Sequence, residues 1–65
     1  MKLTVNGEPL ELDAGNLADL LAKLDYGGDW LATAVNGDLV HREERAVHPL
    51  NDGDRIEILS PMQGG

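Results

Sequence analysis

The sequence contains no cysteine, no phenylalanine, a single tryptophan and a single tyrosine. Without cysteine there are no disulfides and no thiolate metal sites. Small domains commonly use such staples, so this fold has to rest on a compact apolar core. With few aromatics, that core is built from Leu, Val, Ala and Ile. Such a set covers one helix against one sheet and leaves little room for a ligand cavity. Positive charge is also scarce. Five basic residues face twelve acidic ones, a formal net charge of −7. Nucleic acid is disfavoured as a partner, since its phosphates would be repelled, and so is an anionic membrane. A protein partner with a basic docking surface fits, because complementary charge speeds association. Simple solubility is the plainer use of the same charge.

No apolar run approaches the roughly 20 residues that span a bilayer. The opening Met1-Lys2-Leu3-Thr4-Val5 is too short and too alternating for a signal peptide. These features predict a soluble cytoplasmic protein. At 65 residues the chain is one small domain, of a size that buries only about 60% of its unfolded surface.

Alternation at Met1, Leu3 and Val5 predicts a strand, and Asn6-Gly7 is a hairpin signal. Glu8–Leu12 follows as its partner strand. Asn16 suits a helix N-cap, with Asp19 three residues later in the capping position. Leu17, Leu20, Leu21 and Leu24 form one helical stripe. Asp19 and Lys23 match the two ends of the helix dipole. Gly27-Gly28 is the expected helix stop. Residues 31–35 read as a third strand, Asn36-Gly37-Asp38 as a second hairpin turn, and Leu39-Val40 as a short fourth strand. His41–Ala46 reads as irregular, with a helical turn over residues 46–50 and Leu50 directed inward. Asn51-Asp52-Gly53-Asp54 is a tight turn. Arg55–Leu59 is the last strand, with Ile56 and Ile58 on one face and Glu57 and Leu59 on the other. The facing of the third strand is left open: Thr33 and Val35 share one side, Ala32 and Ala34 the other. One helix against one sheet makes a two-layer α+β domain. We expect residues 1–59 to form the domain and residues 60–65 a flexible tail.

Chemistry-bearing constellations are few. Ser60 is the only serine, without a neighbouring His or a glycine-flanked elbow. His41 and His48 sit in a polar stretch, with no further ligands at metal spacing. Asp52-Gly53-Asp54 lacks the later carboxylates of a calcium loop and runs straight into a strand. Neither glycine pair matches a phosphate-cradling loop. No catalytic set emerges, so an enzyme is the least favoured class.

The tail, Gly64-Gly65, is different. A Gly pair is common in unstructured ends and says little alone. Its chemistry is more specific. A carboxylate is a poor electrophile until ATP converts it to an acyl-adenylate. The enzyme that does so has to enclose it in a narrow channel. Two residues without Cβ can thread such a slot. Leu59 and Glu57, outward on the strand before the tail, read as docking positions. A singly exposed Leu is otherwise unremarkable on a protein surface.

Ala34-Val35-Asn36-Gly37, Val40 with Arg42, Asp52-Gly53-Asp54-Arg55-Ile56-Glu57-Ile58, and Pro61 through Gly64-Gly65 together resemble the ThiS family. These are sulfur carriers of thiamine biosynthesis with a ubiquitin-like fold. The resemblance covers essentially the whole chain. It implies a β-grasp domain, with a mixed sheet of about five strands and one main helix packed on one face. It implies that Gly65 is adenylated by a ubiquitin-activating-type enzyme, the only user of ATP, and that no cofactor is bound. A donor such as a cysteine desulfurase then supplies sulfur to form a thiocarboxylate. Thiazole synthase accepts that sulfur, and the carrier is a cosubstrate rather than a catalyst. Gly64 gives access, while Leu59, Glu57 and Met62 are the expected docking residues. The chain departs from the family at His41, where Pro is usual, at Arg45, near a frequent Trp, and at Met62, where Val is frequent. Other open readings are a carrier for molybdopterin or tRNA thiolation, a protein modifier, or a non-catalytic β-grasp interaction domain.

Overall fold

The computed structural model describes residues 1–26 and 31–60. Its elements run β1 (Lys2–Val5), β2 (Glu8–Glu11), α1 (Leu17–Lys23), β3 (Ala32–Val35), β4 (Asp38–Val40), a 3-10 turn (Arg42–Val47) and β5 (Arg55–Leu59). The five strands form one sheet in the order β2-β1-β5-β3-β4. The central pair β1·β5 is parallel and every other pair is antiparallel. This is the mixed sheet expected, with the chain's last strand at its centre.

The two hairpins close through Asn-Gly turns. Asn6 and Asn36 both have φ 52, and Gly7 and Gly37 have φ 81 and 87. Positive φ at both central residues defines the turn whose twist matches the flanking strands. Asn tolerates that left-handed conformation and Gly adopts it freely. The turns set register: Leu3 faces Leu10, and Ala34 faces Leu39.

α1 begins as its sequence predicts. Asn16 is extended, and its Oδ1 accepts a 2.8 Å hydrogen bond from the Asp19 amide. Asp19 in turn accepts from the Gly15 amide at 3.2 Å and lies 3.4 Å from Lys23. Leu17, Leu20 and Leu21 are buried, and Leu24 packs against them from a partly buried position. The helix end differs from expectation. It stops at Lys23, and Asp25 supplies the left-handed residue at φ 62. The Asp25 amide donates to Ala22 O and the Tyr26 amide to Leu21 O. This is the paired closure of a Schellman cap, which Asp can support as well as Gly. The Gly27-Gly28 stop lies outside the described residues.

A second difference lies after β4. The helical turn covers Arg42–Val47, not residues 46–50. Glu44 closes it from within: its side chain accepts from the His41 amide and its own amide donates to His41 O. Pro49 disfavours helical backbone at the preceding residue, and His48 is extended with ψ 104. Asn16 and Pro49 then form a bridge, and Leu50 is buried as expected.

The inner face of the sheet packs under α1. Leu3, Val5, Val35, Val40, Ile56 and Ile58 meet Leu17, Leu20, Leu21, Ala14 and Leu50 in one core. Burying each Leu or Ile there is worth about 1.5–3 kcal/mol. The open facing of β3 is resolved: Thr33 and Val35 point inward, Ala32 and Ala34 outward. Among the described residues, no helix is long and apolar enough to cross a membrane.

Candidate functional site

Each of the two neighbours of β3, the central β5 and the edge strand β4, contributes an exposed leucine. On β5, Glu57 and Leu59 alternate with the buried Ile56 and Ile58. Leu59 is 68% exposed, and it faces Ala32 across the β3·β5 pair. Glu57 faces Ala34, and Ala34 faces Leu39 of β4. Leu39 is 62% exposed. Two large apolar side chains therefore flank two small ones. The alanines cannot fill the space between the leucines, and a shallow groove of about 180 Å³ results. Asn6 and Thr33 complete its lining beside Glu57. Among the described residues Glu57 is the only ionisable one in it.

β5 is held firmly up to this point. The Asn6 amide donates to Ile56 O at 2.9 Å, and Asn6 Oδ1 accepts from the Ile58 amide at 2.8 Å. Asn36 does the same at the other end of the strand, where its Oδ1 accepts from the Arg55 amide at 3.0 Å. Asp54, almost fully buried, accepts from Asn36 Nδ2 and from the Asn51 amide. The strand leading to the tail thus has its backbone bonded on both sides. The docking and tail residues expected from the sequence divide accordingly. Leu59 and Glu57 lie in this groove, whereas Met62, Gly64 and Gly65 lie outside the described residues.

Two residues of the groove go beyond the docking positions expected from the sequence, and Arg45, noted there only as a departure from the family, has a structural role nearby. Leu39 joins the groove because the Asn36-Gly37 turn fixes its register with Ala34. That turn was legible, but the facing of the hairpin was not. Asn6 was read only as a turn residue. Arg45, in a stretch read as irregular, is only 6% exposed. Its Nε donates to Thr33 Oγ1 at 3.1 Å and its Nη2 to Leu31 O at 2.6 Å. Thr33 Oγ1 in turn donates to Val40 O at 2.7 Å. A guanidinium therefore ties together β3, β4 and the 3-10 turn, at the end of the sheet where β5 finishes.

Two wider clefts exist among the described residues. The larger, about 490 Å³, lies between the first hairpin and the end of α1. Glu8 and Tyr26 are its only ionisable side chains, and they do not make a nucleophile–base pair. The second, about 330 Å³, follows the outer edge of β1 and β2. No group of three or more His, Asp and Glu able to hold a metal occurs among the described residues. The Asp52 and Asp54 carboxylates serve the turn itself: Asp52 accepts from the Lys2 amide at 2.6 Å, and Asp54 from Asn51. At the far corner the terminal amine of Met1 contacts Asp13 at 2.9 Å and Glu11 at 3.0 Å. The hydrogen bond to Asp13, then that to Glu11, raises the pKa of the amine above its ordinary value. The same contact holds the Asp13 carboxyl below its ordinary value.

Comparison with known proteins converges on one group. The family model described as "ThiS family" matches residues 3–65. The sulfur carrier protein ThiS of Escherichia coli K12 is 33% identical over 66 aligned positions, which cover the whole of both chains. A thiazole synthase of Paramagnetospirillum magneticum is also 33% identical across this whole chain, which spans 20% of that longer protein. The crystal structure of a thiamine biosynthesis protein (ThiS) from Geobacter metallireducens superposes with a TM-score of 0.85. That structure is 35% identical, and both chains are fully covered.

Proposed function

The chain belongs to the ThiS family of sulfur carriers with a β-grasp fold, and on that premise we propose a mechanism in which Gly65 carries the sulfur. The observation that carries this reading is the extent of the family match, which runs through the terminal Gly64-Gly65 pair to residue 65. The Gly65 carboxylate attacks the α-phosphorus of ATP in an adenylating enzyme, and pyrophosphate leaves. A persulfide on a donor such as a cysteine desulfurase then attacks the acyl carbon, AMP departs and an acyl disulfide forms. A thiol reductant cleaves its S–S bond, is itself oxidised to a disulfide, and leaves the terminus as a thiocarboxylate. Thiazole synthase takes up that sulfur for thiamine, and the carboxylate returns for another cycle. The protein is a cosubstrate in the cytoplasm, and its partners supply the catalysis.

The geometry supports a division of labour. The groove of Leu39, Leu59, Ala32 and Ala34 docks the partner, and the two glycines that follow reach into the partner's active site. The net charge of −7 and the exposed Glu57 suit a basic partner surface, because opposite charge raises the encounter rate. The thiazole synthase containing a segment like this chain supports that enzyme as the acceptor. Deleting Gly65 should abolish adenylation in an ATP–pyrophosphate exchange assay while leaving the thermal melt unchanged. Retained exchange would sink the assignment of Gly65. A strain lacking the protein should regain growth on thiamine or its thiazole precursor. Rescue by neither would move the protein to another sulfur pathway.

A further inference from the structure

The two Asn-Gly turns share a backbone but use their side chains differently. Asn36 engages both ends of its amide. Its Oδ1 accepts from the Arg55 amide and its Nδ2 donates to Asp54 Oδ1, each at 3.0 Å. Asn6 engages one end. Its Oδ1 accepts from the Ile58 amide at 2.8 Å. Only the carbonyl end can accept from an N–H, so this bond fixes which end is which. Nδ2 of Asn6 has no partner among the described residues, and Asn6 is exposed. It lines the groove with Glu57, Leu59 and Ala34. An oriented hydrogen-bond donor therefore stands at the rim of an apolar groove, held by the strand that leads to the tail.

We propose that Asn6 is a specificity-determining residue of this carrier, whose Nδ2 donates to a backbone carbonyl on the adenylating enzyme docked in the groove. The inference rests on the docking reading given above and adds the polar contact that orients it. In the free protein Asn6 is exposed, so Nδ2 is open to water. A partner that offers a carbonyl replaces that water at little net gain, whereas one that buries Nδ2 without an acceptor loses affinity by an order of magnitude or so. The contact thus discriminates between partners more than it tightens binding. The occupant is defined by complementary chemistry: apolar side chains over Ala32 and Ala34, a basic group for Glu57, and a carbonyl for Asn6.

The test uses the intact, isotope-labelled protein titrated with the adenylating enzyme of the same cell, with side-chain amide signals followed by NMR. The Leu59 backbone amide and the Asn6 side-chain amide should both shift, while the Asn36 side-chain amide stays in place. Asn6→Asp keeps the acceptor for Ile58 and removes the donor. In pyrophosphate exchange at raised salt, where the added charge is screened, its KM for the carrier should rise about tenfold at unchanged kcat. A shift at Leu59 without one at Asn6, or an unchanged KM for a folded Asn6→Asp, overturns the inference and leaves the docking reading standing. If the wild-type carrier is adenylated with no shift at Leu59, the docking reading fails and this inference falls with it.

Discussion

Ile56 and Ile58 are 1% and 4% exposed, while Leu59, the next residue along the same strand, is 68% exposed. Ile58 and Leu59 have nearly the same chemistry and opposite surroundings. The inner face lies under the Leu17–Leu20–Leu21 stripe of α1. The outer face is covered by no element among the described residues, and its neighbours on β3 are alanines too short to shield it. A strand alternates its side chains with period two. One segment can therefore hold the fold with every second residue and present a partner surface with the others. Substitutions on alternate positions should separate the two roles.

The largest expected effect is on the inner face. Ile56→Ala should cost about 2–5 kcal/mol, a large share of the stability of so small a domain. A urea titration followed by circular dichroism reads it directly. A loss below that of an ordinary surface change would break the contrast between the faces. Arg45→Met comes next. It leaves Leu31 O without a donor from Arg45 and removes one partner of Thr33. That should cost about 1–3 kcal/mol by the same measurement, and no loss would mean that water or a neighbour replaces the guanidinium. On the outer face, Leu59→Asp should change stability by no more than about 0.5 kcal/mol. It should raise the KM for adenylation about tenfold or more, the scale of losing a docking anchor. Unfolding by Leu59→Asp would show that the outer face also supports the core.

The smallest effect concerns pH. The Met1 amine has its pKa raised by Asp13 and Glu11, so its contribution is complete below the ordinary amine range near pH 8 and fades as pH rises through the raised value. Asp13 has its pKa lowered, so its contribution is present above the ordinary carboxylate range and fades as pH falls through the lowered value. Thermal midpoints should decline slightly at both extremes, and Asp13→Asn should flatten the alkaline decline. An alkaline profile unchanged by Asp13→Asn would remove the terminal amine from the account.

Much of this was legible from local patterns. The Asn-Gly pairs announced both hairpins, the Leu stripe and Asn16 announced α1, and alternation in Arg55–Leu59 announced which side of β5 is buried. These signals are local because turn geometry, helix period and strand period involve neighbouring residues. The facing of β3 was not legible, since Ala-Thr-Ala-Val carries no clear apolar alternation. Thr33 is inward because Arg45, distant in sequence, donates to its hydroxyl, and that hydroxyl donates to Val40 O. Leu39 and Asn6 belong to the groove for the same kind of reason: strand order places β4 beside β3 and the first hairpin beside β5. α1 ends ahead of the Gly27-Gly28 stop that the sequence predicts because Asp25 adopts the left-handed cap. The 3-10 turn lies ahead of residues 46–50 because Pro49 holds His48 in extended backbone.

The central claim is that this domain exists to carry sulfur on its last residue. It is tested most directly by the intact mass of the protein after incubation with the adenylating enzyme, ATP and a sulfur donor. The account predicts a species heavier by the exchange of one oxygen for sulfur, with fragmentation placing the change at Gly65. A mass that stays unchanged under those conditions would contradict it.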